Sequence, residues 1–441
     1  MDQKTDMSHP GFGEALRVWA KIGLLSFGGP AGQIAMMHRV LVDEKKWVSE
    51  PQFLHALNFC MLLPGPEAQQ LATYVGWLLH RAKGGVAAGL LFILPGLTVI
   101  LGLSTVYMLW RAVPVVEGLF FGLQAAVLAI VIEAVQRIAR RAIKTRFLLG
   151  LSAAAFVGIY MLQIPFPLIV LGAGLTGWLV GRSRPDWVAA TAAKDDRDVL
   201  PSVPPSWRRS LLLLGIFGLL WFGPLLWLQA GLGGDHVFSR IAVFFSEMAV
   251  VTFGGAYAVL AYVAQQAVST YGWLSADEML HGLGLAETTP GPLILVLTFV
   301  GFVAGFRDSG LDPLAGGLLG GLLATWVTFV PCFLWIFLGA PYVERARHVR
   351  AFAHGLAAIT AAVVGVILNL AIWFGLHVLF RQMQAVSLGP LHWDLPVVSS
   401  LDPAMALLAA AAILAVFRFH LGLGWLLGGA ALAGVAMRMA L

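Results

Sequence analysis

Apolar stretches long enough to approach a bilayer span recur along the chain, and they constrain its fold more than any other feature. Gly85–Leu109, Leu119–Val131, Leu211–Trp227, Ala315–Leu338 and Ala404–Val416 contain no Asp, Glu, Lys or Arg. Several come close to the ~20 residues that cross a bilayer as a helix. None alternates apolar and polar residues as a barrel strand would, so the spans are helical. Of 441 residues 59% are hydrophobic and only 12% charged, with a mean hydropathy of +0.84. A soluble domain carries roughly twice that charged fraction, so lipid must be the solvent for much of this chain. The fold class is that of an all-α polytopic membrane protein. The start, Met1-Asp2-Gln3-Lys4, does not read as a cleavable signal peptide. Cys60 and Cys332 both lie in apolar runs, so neither a disulfide framework nor a metal cluster is expected, and no cofactor is called for. Net charge is +5, but the basic residues sit between spans and serve as topology signals rather than as a nucleic-acid surface.

The two halves of the chain repeat one another. Phe27-Gly28-Gly29 recurs as Phe253-Gly254-Gly255, an offset of 226 residues (253 − 27). Trp47/Trp273, Ser49/Ser275, His55/His281 and Pro64-Gly65-Pro66/Pro290-Gly291-Pro292 keep the same offset. Farther on the match loosens, with Pro95 answering Pro331 and Gly172–Gly177 answering Gly428–Gly434. Charge assigns the halves opposite orientations. Arg39, Lys45, Lys46, Arg81, Lys83 and Arg137–Arg146 make the first-half loops basic, whereas the stretch matching the first of them, Ala264–Ala276, has no Lys or Arg. Conversely Arg345, Arg347 and Arg350 fill a second-half loop whose first-half counterpart is thin in charge. The positive-inside rule then requires an odd number of spans between the halves. Val180–Arg209 reads as a cytoplasmic linker, with Arg197 among Asp195, Asp196 and Asp198, and Leu211–Trp227 as the inverting span. The expected organisation is a first repeat at 12–182, a linker with its inverting helix at 183–236, and a second repeat at 237–441. Inverted repeats are a signature of secondary transporters.

Each half is broken twice by Gly and Pro inside apolar sequence: at Ser26-Phe27-Gly28-Gly29-Pro30 and Thr252-Phe253-Gly254-Gly255-Ala256, and at Pro64-Gly65-Pro66 and Thr289-Pro290-Gly291-Pro292. Such runs cannot continue a helix. The flanking pieces Phe53–Leu63 and Glu67–His80 are each about half a span, and their outer ends are both basic. A re-entrant hairpin with its tip at mid-membrane is expected, lining a protein-enclosed or watery cavity. Pro30 and Pro66 suit the first turn of a following half-helix. Four converging helix N-termini, each worth roughly +0.5 of a charge, would offer about +2, a match for a small divalent anion.

These motifs resemble the chromate ion transporter family in its long, two-domain form: the paired Phe-Gly-Gly tips, Pro64-Gly65-Pro66 followed by Gln69 and Gln70, and Thr289-Pro290-Gly291-Pro292. The likeness covers nearly the whole chain. It implies a carrier that exports chromate, a tetrahedral dianion, from the bacterial cytoplasm across the inner membrane and so confers resistance. Sulfate or another small inorganic anion is the alternative substrate, and homo-oligomerisation is left open. The family often has Gln three residues before each Pro-Gly-Pro, where this chain has Met61 and Glu287. A carboxylate beside an anion site repels the ligand unless protonated or paired, which makes Glu287 a candidate for proton coupling. Ala256 also stands where the first half has Pro30.

Lys21 and Glu247 are equivalent positions of opposite charge on apolar segments before the tips. Two readings fit: Lys21 attracts the anion while Glu247 pairs or titrates, or both snorkel to an interface. Glu67 either caps the helix after Pro-Gly-Pro or joins Glu247 and Glu287 in proton coupling. Gln33, Gln69, Gln70, Thr73, Thr252, Thr288 and Thr289 suit hydrogen bonding to an oxyanion, or alternatively interhelical packing. The chain has no Walker motif, CxxC, H-E-x-x-H or dinucleotide-binding Gly-rich turn. An enzyme and an ATP-driven pump are therefore disfavoured, and an anion channel is the nearer rival.

Overall fold

A computed structural model describes residues 9–188, 206–253, 256–342, 350–389 and 391–440. Asp195, Asp196, Arg197 and Asp198 of the expected linker, Arg345 and Arg347, and the paired glycines Gly254 and Gly255 lie outside the described residues. The described chain is overwhelmingly helical, and seven of its helices are long and apolar enough to cross a membrane. It is a multi-pass membrane protein with two compact units, each drawing segments from both halves of the sequence.

The first unit comprises Met1–Gly102, Ala193–Ala256 and Thr289–His348. Its elements are α1 (Phe12–Leu25), α2 (Gly29–His38) with a π-helical turn at Arg39–Glu44, α3 (Glu50–Cys60) and α4 (Glu67–Trp110), whose last turns pass into the second unit. The chain continues in α9 (Trp207–Leu232), α10 (Val237–Val251), a 3-10 turn at Leu293–Leu295, α13 (Val296–Asp308) and α14 (Pro313–Gly339). Helix α4 is two helices joined by a reversal at His80 and Arg81, where Arg81 takes φ 55°. The two pieces run back along each other closely enough that a Cβ on Gly76 would overlap the Gly84 carbonyl. Eleven residues of α3 rise only about 16 Å, half of a ~30 Å hydrocarbon core. Helices α13 and α14 pack backbone to backbone through Gly301 and Gly305 against Gly316 and Gly320, the small-residue contact that substitutes for a hydrophobic drive in lipid.

The second unit comprises Leu103–Ala192, Tyr257–Thr288 and Val349–Leu441. It holds α5 (Pro114–Ala142), α6 (Arg146–Tyr160), α7 (Phe166–Ser183), the short α8 (Pro185–Val188), α11 (Ala256–Gln265) with a π-helical turn at Gln266–Thr270, and α12 (Ala276–Thr288). It closes with α15 (Arg350–Leu379), α16 (Pro403–Phe417) and α17 (Leu423–Ala440). The middle of α5 is buried, with Gly118 and Gly122 against Gly434 and Ala430 of α17. An antiparallel hairpin, β1 (Met383–Leu388) and β2 (Leu391–Pro396), sits between α15 and α16. The sequence reading did not anticipate it.

Local structure repeats at the sequence offset. Ser49 and Gln52 form a capping box on α3, and Ser275 and Glu278 exchange the same two bonds on α12. Lys46 and Gly272, 226 apart, both take positive φ.

Candidate functional site

The breaks are built alike. After α1, the Phe27 amide turns back onto the Leu25 carbonyl at 3.0 Å; after α10, Phe253 bonds Val251 at the same distance. The Ser26 hydroxyl donates to the Ile22 carbonyl at 2.5 Å, and the Thr252 hydroxyl to that of Met248. Gly28 takes φ 87° at the N-cap of α2, with Gly29 and Pro30 opening that helix. Pro66 precedes the first residue of α4, and Pro292 caps the 3-10 turn before α13.

Within the first unit the tips cross. The Gly65 amide donates to the Thr252 carbonyl at 2.8 Å, and the Gly291 amide donates to the Ser26 carbonyl at 2.8 Å. Each Pro-Gly-Pro thus satisfies a carbonyl at the end of the other half's entering helix, a group left without an intrahelical partner. Both donors need glycine: φ is 119° at Gly65 and 91° at Gly291. The Cys332 Sγ lies 2.8 Å from where a Gly65 Cβ would stand, and the Phe92 carbonyl 3.2 Å from that of Gly291. Gly96 lies directly against the Pro290 carbonyl. The sequence match of Pro95 with Pro331 therefore carries a contact, since the residue after each proline packs on the Pro-Gly-Pro of the opposite half.

Glutamines of the first half brace this crossing. Gln33 Nε2 donates to the Gly291 carbonyl at 2.5 Å and Gln70 Nε2 to the Pro64 carbonyl at 2.7 Å, while Gln69 Nε2 reaches the Thr73 hydroxyl at 2.9 Å. All three side chains are fully buried, and their Oε1 atoms have no partner among the described residues. The expected oxyanion donors are thus engaged by the protein itself in this structure. The backbone supplies the open donors. The amides of Ala31 in α2 and of Ala68 and Gln69 in α4 have no acceptor among the described residues, as the first turn of a helix dictates, while the Glu67 amide lies against its own carboxylate.

The remaining candidates fall elsewhere. Lys21 on α1 and Glu247 on α10 are exposed, as is Phe27 at 44%. Glu67 is half-buried at the N-terminus of α4. Thr289 is buried in the first unit. Thr288 and Glu287 belong to the second unit, where Thr288 donates to the Leu285 carbonyl at 2.8 Å. Glu287 is buried and accepts a 2.7 Å hydrogen bond from Tyr257, four residues past the second Phe-Gly-Gly phenylalanine. The first-half equivalents of that pair, Ala31 and Met61, are not ionisable. Sequence reasoning missed Tyr257; its opposition to Ala31 in the repeat was the available signal. His281 lies 3.0 Å from both the Tyr107 hydroxyl and Gln124 Nε2, beside a cavity of about 310 Å³ lined also by Arg111, Asp277 and Glu278. Among the described residues no group of three His, Cys, Asp or Glu side chains is placed to hold a metal ion.

Comparison with known proteins gives this geometry its context. The chromate transport protein of Pseudomonas aeruginosa is 32% identical over 375 residues, covering 81% of this chain and 80% of its own. That of Cupriavidus metallidurans is 28% identical over 349 residues, 79% and 78% of the two chains. A probable chromate transport protein of Synechococcus elongatus is 27% identical over 371 residues, 82% and 86%. No solved structure matches the chain. The sequence profile of the chromate transporter family matches residues 13–178 and 239–435, one stretch in each half. The chain therefore belongs to the chromate transporter family.

Proposed function

We propose that this protein is a secondary transporter that exports chromate across the bacterial inner membrane and thereby confers resistance to it. The observation that carries the reading is the reciprocal pair of tip bonds, Gly65 to Thr252 and Gly291 to Ser26. It brings the broken segments of both halves together beside unpaired helix-N-terminal amides. These amides, from Ala31, Ala68 and Gln69, are the groups we assign to the anion, with Phe27, Gly28, Gly29, Pro30, Pro64, Gly65, Pro66, Pro290, Gly291 and Pro292 shaping the backbone around them. Gln33, Gln69, Gln70, Thr252 and Thr289 hold that backbone in place, and Thr288 stays with the substrate-site residues as a neighbour of the second tip in sequence.

The halves, 12–182 and 237–441 joined by 183–236, act as inverted repeats with re-entrant hairpins that alternate access around this site. The half-span length of α3, the reversal at Arg81 and the matching capping boxes support the arrangement. A dianion leaving a cell with 100 mV across its membrane gains about 4.6 kcal/mol, at about 2.3 kcal/mol per charge. Glu287, buried and hydrogen-bonded to Tyr257, is the residue we assign to proton coupling. Glu67 and Glu247 are further candidates, and Lys21 draws the anion toward the first tip. Uptake of labelled chromate into respiring everted vesicles tests this reading. Saturable, protein-dependent accumulation abolished by an uncoupler is expected; no protein-dependent flux would overturn the substrate assignment.

A further inference from the structure

With the 236-residue spacing that matches Pro95 to Pro331, the start of α15 at Arg350 falls on that of α5 at Pro114. The first half turns from α5 into α6 within Ile143–Thr145, whereas the second half takes residues 380–402 to pass from α15 to α16. The extra residues form the β1–β2 hairpin, with Ala385 opposite Asp394 and Val386 opposite Trp393. Together with the ends of α6, α11 and α15, the hairpin lines a partly open cavity of about 200 Å³ within the second unit, with Asp394 at its exposed side. At roughly 30 Å³ per water in the liquid, that is room for about seven non-hydrogen atoms.

The lining has a definite chemistry. Tyr160, Trp373 and Trp393 contribute aromatic rings, Gln265 and Asn369 contribute amides, and Asp394 contributes a carboxylate. Asp394 acts electrostatically on the Tyr160 hydroxyl, which places its charge near that ring. No Lys or Arg lines the cavity, and Asp394 forms no ion pair among the described residues. Among the described residues the other titratable wall group besides Tyr160 is His377, whose Nδ1 is 2.9 Å from the Trp373 carbonyl. An uncompensated carboxylate beside aromatic faces repels anions and attracts a soft cation, whose desolvated charge the rings stabilise. Helix α6 runs from its basic end at Lys144–Arg146 to Tyr160, so the cavity lies at the end away from the basic loop.

We propose that this cavity binds a small organic cation, a quaternary ammonium of about the size of choline, held by the Tyr160 and Trp373 rings with Asp394 as counter-charge. The proposal is independent of what the tips carry. Calorimetric titration of the purified full-length protein with choline tests it, using 3,3-dimethylbutan-1-ol as the uncharged isostere. Saturable choline binding is expected, at least tenfold tighter than the isostere, and weakened at least tenfold in both Asp394→Asn and Trp373→Leu. Tyr160→Phe, which keeps the ring, should bind choline within threefold of wild type, while an unchanged melting temperature in each variant certifies the fold. If Trp373→Leu fails to fold, Asp394→Asn and the isostere decide the matter alone. No saturable binding, equal binding of choline and the isostere, or undiminished binding by Asp394→Asn would overturn the proposal.

Discussion

Replacing Gly65 by alanine tests the crossed tips where they are tightest. The backbone at Gly65 has φ 119°, outside the regions open to a residue with a side chain, and holding alanine there costs about 1–3 kcal/mol. The new Cβ would stand 2.8 Å from Cys332 Sγ and 2.9 Å from Gln70 Nε2, and overpacking of this kind adds about 1–3 kcal/mol. The total, roughly 2–6 kcal/mol, is within reach of a fold stable by about 5–15 kcal/mol. The protein should therefore still fold, with its tip displaced. Even 2 kcal/mol against the competent tip geometry is about a thirtyfold loss of working molecules. Gly291→Ala has similar backbone strain but meets nothing nearer than 3.2 Å, so its loss should be smaller. Adding Cys332→Ala to Gly65→Ala removes one clash and should recover about 1 kcal/mol, roughly fivefold in rate. Initial rates of chromate uptake in everted vesicles at matched expression, with melting temperatures beside them, read out all three. Wild-type rates and melting in Gly65→Ala, or no relief from Cys332→Ala, would refute the reasoning.

Gln33→Leu removes the donor that holds the buried Gly291 carbonyl; an unsatisfied group costs about 1–3 kcal/mol, so uptake should fall about tenfold, with Gln70→Leu similar, as measured in the same vesicles. Glu287→Gln should leave chromate exchange between the two faces of the membrane intact while abolishing its response to an imposed pH gradient; an unaltered response would remove Glu287 from the coupling role. Asp402 caps α16 through the Ala404 and Met405 amides and pairs with Arg381 at 2.8 Å. Burial pushes its carboxyl up, but the Arg381 and amide hydrogen bonds outweigh this and hold it below the usual range. Its stabilisation is thus present above the unfolded carboxyl value near ~3.9 and lost as pH falls through the lower folded one. Asp402→Ala should lower the melting temperature by an amount worth about 0.5–2 kcal/mol at pH 5–8, a difference that shrinks below about pH 4.

The parts of the fold legible in the sequence are those fixed by local chemistry. Gly and Pro in succession end a helix, so Phe27-Gly28-Gly29 and Pro64-Gly65-Pro66 announced their breaks, whereas the lone Pro95 and Pro331 stay inside theirs. Ser49 and Ser275 showed in the sequence only as a matched pair of the repeat; that both cap helices came from the structure. What was not legible is who bonds whom across the chain. The Gly291–Ser26 bond spans 265 residues of sequence, and periodicity says nothing at that range. The glutamines illustrate the consequence: an amide near a tip reads as an oxyanion donor until Gly291 and Pro64 are seen to occupy it. Arg81 read only as a topology charge, because a reversal with φ 55° at an arginine carries no Gly or Pro mark. The β-hairpin was hidden differently: Met383–Leu388 and Leu391–Pro396 are short segments beside far longer apolar helices.

The central claim is that this chain carries chromate through a site made by the crossed tips. Purified protein in liposomes, with a potassium diffusion potential setting the interior positive, tests it most directly. The account predicts saturable, potential-driven accumulation of labelled chromate, lost in Gly65→Ala and partly restored by Cys332→Ala. Absence of flux in the wild type, or flux that rises linearly with chromate and is indifferent to Gly65, would contradict it.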